Sequence, residues 1–496
     1  MSELDGSLPV ALAWGLAWAA IGALALYLLA PSPWPLQGSR AVELRASMAV
    51  LDHGGPLLLG YEPGTHAPYA IGYSDDQGIY VIVPLLCRLL GESDPVAMLR
   101  WLWIAAWAGT LLFSGTVFRF LFRSSWAAAL APPTLLVCIV SFGFGDIYWI
   151  SAWVVVTTIP LLLLLLRTRR RRVWMALVSI ALVAGTATAI RSDAGLGVAL
   201  AAGAVAAMAG GRWRRRVAVI AAVALAYVAP TEIVLPAIRD HRDHYLGLNL
   251  SAAEPTSHPL WHSLYIGLGY TANRYGIHYL DSYAGAAAQE ADPGVRYLSP
   301  AYASALHRQV DALIEHDPGF VVGAEAQKAV VELAQAAPYA LLLALLLPGA
   351  LVAAGAARLR RSELALLLPA IAIGAIPAIV AVPFRFYELG LFGPLGVLGL
   401  LAIGSAAARA EREWGSARAT AAGRWPTARL TLTRMQAGWP LRATLRTMMV
   451  AVAILTPTFV FALHLEAEHE RWDRRQHNPP TVVLAAARAP RPAVKG

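Results

Sequence analysis

About eleven apolar stretches of bilayer-crossing length recur along this chain, and no other feature of it restricts the fold as strongly. A hydrocarbon core takes roughly 20 apolar residues as a helix, because every backbone N–H and C=O within it has to be paired inside the segment. The stretches run over 8–30, 97–118, 126–142, 147–166, 173–190, 194–210, 217–236, 337–357, 362–382, 389–408 and 447–463. Composition points the same way, with 57% hydrophobic residues and 14% charged, against about 25% charged in soluble globular chains. The expected fold class is therefore an all-α polytopic membrane protein with about 11 transmembrane helices. The opening "MSELDGS" has no basic n-region and the first stretch is followed by no clear cleavage site, so that stretch reads as a retained anchor. Cys87 and Cys138 lie in different segments, which excludes a disulfide framework and a CxxC metal motif.

The arginines orient the spans. "RTRRRR" at 167–172, "RWRRR" at 212–216, "RLRR" at 358–361 and the Arg-rich 409–446 all fall on one side, the cytoplasmic one by the positive-inside rule. The N-terminus is then inside and the C-terminus outside. Of 31 Asp and Glu, only Glu3, Asp5, Glu363, Glu411 and Glu413 fall on the inner side, so any carboxylate chemistry faces outward. The net charge of +9 comes from these short basic loops, which anionic headgroups and topology explain. No nucleic-acid partner is expected.

Two outer segments, 31–96 and 237–335, are too long to be simple connectors and are rich in Tyr, Trp, His, Gly and Pro, which marks them as structured surfaces. The halves share no repeat and the spans hold few polar residues, which counts against an ion-coupled transporter. Within the first segment, "IGYSDDQGIY" at 71–80 sets Asp75 and Asp76 before about 14 apolar residues. That run is too short to span and reads as an interfacial or re-entrant helix. Ser74 and Gln77 match a capping box, and acids in a first helical turn complement the helix dipole, so the pair has a purely structural explanation beside a catalytic one.

Taken together, an initial span, an outer loop with an acidic pair leading into an amphipathic helix, many further spans, a second large outer loop and an Arg–aromatic pair before a late span resemble the GT-C glycosyltransferases. "DQGIY" at 76–80 is similar to the D-E-G-x-Y pattern of several bacterial members, with Gln77 where Glu is usual. The resemblance implies transfer of a sugar from a polyprenyl-phosphate carrier to an acceptor hydroxyl of a cell-envelope glycan, lipid or protein. It places a periplasmic active site on the outer face of the plasma membrane. Asp76 is the expected base, assisted by Asp75, and Tyr80 a substrate contact. Arg385 and Tyr387 in "VPFRFYELG" are the expected donor-phosphate ligands, and a snorkelling interfacial Arg is the plainer alternative.

Further donor-side candidates are Arg191, in "IRSDAGL", where an ion pair with Asp193 closing the turn is the competing explanation, and Lys328, which a solvated helix face explains equally well. In "SHPLWHSLYIGLGYTANRYGIHYLDS", His258, Trp261 and His262 are candidate substrate contacts. The two histidines are spaced i, i+4, but Pro259 and the lack of a clear third ligand argue against zinc, so no metal site is assigned. No cofactor is expected with certainty; a divalent cation is possible in such a site but not favoured. The domain division expected is a transmembrane domain over 1–408 including both outer loops, an Arg-rich cytoplasmic segment 409–446, a last helix 447–463 and an outer tail 464–496. The alternative function is a non-enzymatic flippase or transporter of a lipid-linked saccharide.

Overall fold

The computed structural model describes residues 8–36, 39–72, 76–142, 146–168, 173–192, 194–208, 212–252, 258–335, 365–381 and 389–423, together with Leu465 and Arg471. The chain is an all-α polytopic membrane protein. Among the described residues, six helices are long and apolar enough to cross a membrane and four shorter apolar helices accompany them. The expected spans at 337–357 and 447–463 lie outside the described residues.

The chain separates into two compact units. The first begins with α1 (Leu8–Leu29), α2 (Arg40–Asp52) and a two-stranded antiparallel hairpin, β1 (Leu59–Tyr61) with β2 (Pro68–Ala70). There follow α3 (Ile79–Leu90), α4 (Pro95–Phe122), α5 (Ser125–Phe142), α6 (Trp149–Thr168), α7 (Val173–Ile190), α8 (Leu196–Met208) and α9 (Trp213–Ala229). A π-helical turn at Pro230–Val234 joins α9 to α10 (Leu235–Leu246) without a break. The helix therefore runs ten residues past the expected span end at 236. Pro230 has no N–H to donate, and the ladder accommodates it by widening rather than stopping.

The boundaries follow from local chemistry. Asp94 caps α4 by accepting from the Val96 N–H at 3.2 Å, with Pro95 at the first helical position, where a missing N–H costs nothing. Gly91, at φ 74°, ends α3 in the left-handed region. α4 forms the middle of the unit: α1, α5 and α6 pack along it, while α16 (Leu389–Gly423) lies against α5 and α6, and α7, α8 and α9 pack on one another. Backbones approach closely where glycine removes the side chain. At Gly374, in α15 (Leu367–Val380), a Cβ would stand 2.3 Å from the Gly390 carbonyl oxygen of α16. Such small-residue crossings are how helices gain van der Waals contact where lipid supplies no hydrophobic drive. Val10, Leu16, Leu24 and Leu28 of α1 and Leu225 of α9 remain exposed, the surface that lipid covers.

The second unit is built around 258–335: α11 (Leu260–Gly267), α12 (Asp281–Ala291), α13 (Pro300–His316) and α14 (318–335). Ile266, Ala284, Ala288, Leu298, Tyr302 and Leu306 form its core, with Trp261 and Tyr265 packed against them. A second cluster of Leu268, Ile277 and Ala324 seats α14. The described residues of both long segments, 31–96 and 237–335, are thus structured, as their composition leads one to expect.

Candidate functional site

The helix expected to start at "SDDQ" starts later. Gly78 is the residue preceding α3 and makes no side-chain cap, so the Ser74 to Gln77 capping box does not describe this terminus; Ser74 and Asp75 lie outside the described residues. Asp76 sits in a turn ahead of α3 and is only 4% exposed. The Gly78 N–H donates to the Ala189 carbonyl at 2.8 Å, and a Cβ on Gly78 would fall 2.7 Å from that oxygen. Only glycine lets this turn press against the end of α7, and that contact brings the Asp76 turn beside Arg191.

Asp76 is held by Arg40, the first residue of α2, whose Nε donates to Asp76 Oδ2 at 2.7 Å. The same guanidinium donates through Nη1 to Oδ2 of Asp146, a second buried carboxylate in the turn ahead of α6. Asp146 has φ 35°, an uncommon conformation for a residue with a side chain. It is fixed from both sides: its N–H donates to the Pro35 carbonyl at 3.1 Å, and Trp34 Nε1 donates to its carbonyl at 3.0 Å. Burial alone would lower the pKa of Arg40, but Asp146 and then Asp76 outweigh it and hold it above the ordinary arginine value. One planar fork thus carries two carboxylates from separate turns, a geometry to which lysine is not suited.

Arg191, at the end of α7, is partly exposed and lies over the Tyr148 ring, its Cζ 4.5 Å from the centroid; Arg40 approaches the same ring at 5.9 Å. The expected ion pair with Asp193 lies outside the described residues, and what is described around Arg191 is this cation–π contact. Asp76, Asp146, Arg40, Arg191 and Tyr148 make one cluster at the ends of four helices.

The other candidates are placed differently. Tyr80, in the first turn of α3, is 1% exposed and stands in the core rather than at an open surface, its pKa raised by burial first and by Asp76 next. Lys328 is fully buried, paired with Glu325 at 2.8 Å and donating to the Val380 and Ala381 carbonyls at 3.3 and 3.4 Å. That corrects the solvated-face explanation: burial lowers its pKa and Glu325 partly restores it. In the second unit His262 is buried, with Nδ1 2.7 Å from the Tyr302 hydroxyl and Nε2 3.2 Å from Asp281 Oδ1, while Trp261 stacks on His307 with centroids 3.8 Å apart. Arg385 and Tyr387 lie outside the described residues.

Arg40 and Asp146 were not among the sequence candidates. "GDIYW" at 145–149 carried a signal for Asp146, since an acid followed by an aromatic ahead of an apolar helix repeats the arrangement of "DQGIY". Arg40 gave none, being one of two arginines in the mixed-character helix "RAVELRASMAVLD".

No family model matches the chain, and no curated protein matches it. Two solved structures align with it. One is the archaeal oligosaccharyltransferase AglB from Archaeoglobus fulgidus in complex with an inhibitory peptide and a dolichol-phosphate, at 14% identity and a TM-score of 0.40. The other is an oligosaccharyltransferase from Archaeoglobus fulgidus in the apo form, at 13% identity and a TM-score of 0.38. Each alignment covers 92% of this chain and 56% of the other, so the chain spans little more than half the length of these structural neighbours.

Proposed function

We propose that the chain is a membrane glycosyltransferase that moves a sugar from a polyprenyl-phosphate carrier to an acceptor hydroxyl at the outer membrane surface. The observation that carries this reading is the pairing of two buried carboxylates, Asp76 and Asp146, on one guanidinium beside a second, partly exposed arginine.

The acceptor oxygen attacks the anomeric carbon as its proton passes to a carboxylate oxygen of Asp76. The bond from that carbon to the phosphate oxygen breaks, and the carrier phosphate leaves with the electron pair. Attack opposite the leaving group inverts the anomeric centre. A phosphate leaves without a general acid, so the base and a phosphate-binding cation are the groups the protein has to supply. Arg191 supplies that cation, and Arg385 with Tyr387 are assigned to the same phosphate from the sequence resemblance. Asp146 and Arg40 position Asp76, with Asp75 as its assistant. The glycan, lipid or protein acceptor is left to the assay.

A flippase or transporter needs ionisable groups along a path through the membrane. The cluster found here sits at helix ends: Arg40 opens α2, Asp76 and Asp146 precede α3 and α6, and Arg191 follows α7. That favours surface chemistry over passage.

The test is transfer from a panel of polyprenyl-phosphate sugars by purified protein. Asp76→Asn keeps shape and removes the base, and is expected to lower turnover by about 100-fold or more while donor binding persists. Near-normal turnover in both Asp76→Asn and Asp146→Asn would sink the proposal.

A further inference from the structure

We propose that His258, His262 and Asp281 form a binding site for a zinc-class divalent metal ion that ties the start of α11 to the start of α12. This is independent of the glycosyltransferase reading, because every residue in it belongs to the second unit.

The i, i+4 spacing of the histidines lacks a third ligand in the sequence. The fold supplies it: Asp281 opens α12, and one ligand atom from each of the three residues lies within 4.8 Å of the other two. A carboxylate and two imidazoles are a donor set suited to zinc, whose sites use nitrogen and oxygen ligands at about 2.0 to 2.2 Å. The His262 and His258 ring centroids are 4.6 Å apart, so a metal needs only modest closure of the three groups.

The surroundings of His262 fit a ligand role. Its Nδ1 meets the buried Tyr302 hydroxyl at 2.7 Å. With the proton on Nδ1 donated to that oxygen, the Nε2 lone pair points to Asp281 Oδ1, 3.2 Å away. In that tautomer the two lone pairs leave room for a metal ion between them; in the other, the metal-free arrangement, Tyr302 donates to Nδ1 and Nε2–H donates to Asp281. A ligating histidine is normally oriented by such a bond from its other nitrogen. The second imidazole, His258, distinguishes this cluster from an ordinary His–Asp pair. Asp281 has 65% of its side chain exposed and His258 is half-buried, so the ion has an entry path and a coordination position for water.

Full-length protein purified through a tag without histidine, stripped with chelator and held in detergent, would be titrated with Zn²⁺ against a chromogenic competitor. The expectation is one zinc per chain and a higher melting temperature with zinc. His258→Ala and Asp281→Asn should each weaken binding by at least about tenfold and abolish the thermal shift, and Tyr302→Phe should weaken it by about 10- to 100-fold. Asp281 is exposed, so its Asn variant keeps the fold while losing the charge. X-ray absorption of the loaded protein should show scattering from two imidazoles, reduced to one in His258→Ala loaded at saturating zinc. Folded wild-type protein that takes up no zinc leaves the cluster a proton-bridged His–Asp pair and overturns the proposal. So does zinc binding unchanged in both His258→Ala and Asp281→Asn.

Discussion

At the residue scale, Arg40 decides whether two acids can share one small space. Its side chain is 18% exposed, and those of Asp76 and Asp146 are 6% and 3% exposed, so the trio is well screened from water. Removing one partner of a buried ion pair typically costs about 3 to 5 kcal/mol, because the charges left behind are uncompensated. Arg40→Met should therefore lower the melting temperature distinctly. Adding Asp146→Asn to Arg40→Met should return part of the loss by removing the like charge, and a thermal melt of the three proteins measures it. Equal melting temperatures for wild type and Arg40→Met would show that the fork bears no structural load. Asp76 was legible in the sequence because its pattern is local, an acid four residues before Tyr80 ahead of an apolar run. Arg40 was not, because its role depends on contacts 36 and 106 residues away. Asp281 was hidden for the same reason, 19 residues from His262.

At the scale of elements, hydropathy located the helices well because a bilayer imposes one length on every span, and α7 ends where the sequence places it. It failed where the chain follows other rules: α9 and α10 continue through a π turn, and α16 runs on to Gly423 in place of stopping near 408. The polar face of α14 was the least legible. Lys328, Glu325 and Glu332 have the composition of a solvated surface, yet Lys328 is 0% and Glu332 4% exposed. Burial pushes the Glu332 carboxyl up to about 7 from an ordinary 4.5. The folded state then holds a proton that the unfolded chain releases, so stability falls as pH rises from about 4.5 to about 7 and stays low above that. The shift corresponds to a penalty on the order of 3 kcal/mol at pH 8. Glu332→Gln should consequently melt higher than wild type at pH 8, and the two should converge near pH 4.5. A difference that does not change with pH would mean that this carboxyl is not the source.

At the scale of the whole molecule, the contacts within the first unit give a topological argument that does not use charge. Asp76 lies in the connection after α1, Asp146 in the connection between α5 and α6, and Arg191 in the connection between α7 and α8. Arg40 joins the first two, and Tyr148 with the Gly78 to Ala189 hydrogen bond joins the third. These three are joined in one cluster and so share a face, and α6 and α7, each long enough to cross, put the end of α6 and the start of α7 on the other; with the 13-residue α8 taken as a crossing too, the start of α9 joins them there. We propose that this second face, where the arginines concentrate in the sequence, is the cytoplasmic one. We therefore expect a cysteine at Thr65, exposed in the hairpin turn, and one at Glu290, exposed on α12, to react with a membrane-impermeant maleimide added to intact cells. A cysteine at Arg214, exposed at the start of α9, should react only after the membrane is opened. The native Cys87 and Cys138 are both buried, so background labelling is low and replacing them with Ser completes the control. Labelling at Arg214 in intact cells together with protection at Thr65 would invert the membrane orientation. It would put the carboxylate cluster on the cytoplasmic face, where the proposed transfer could not occur as written.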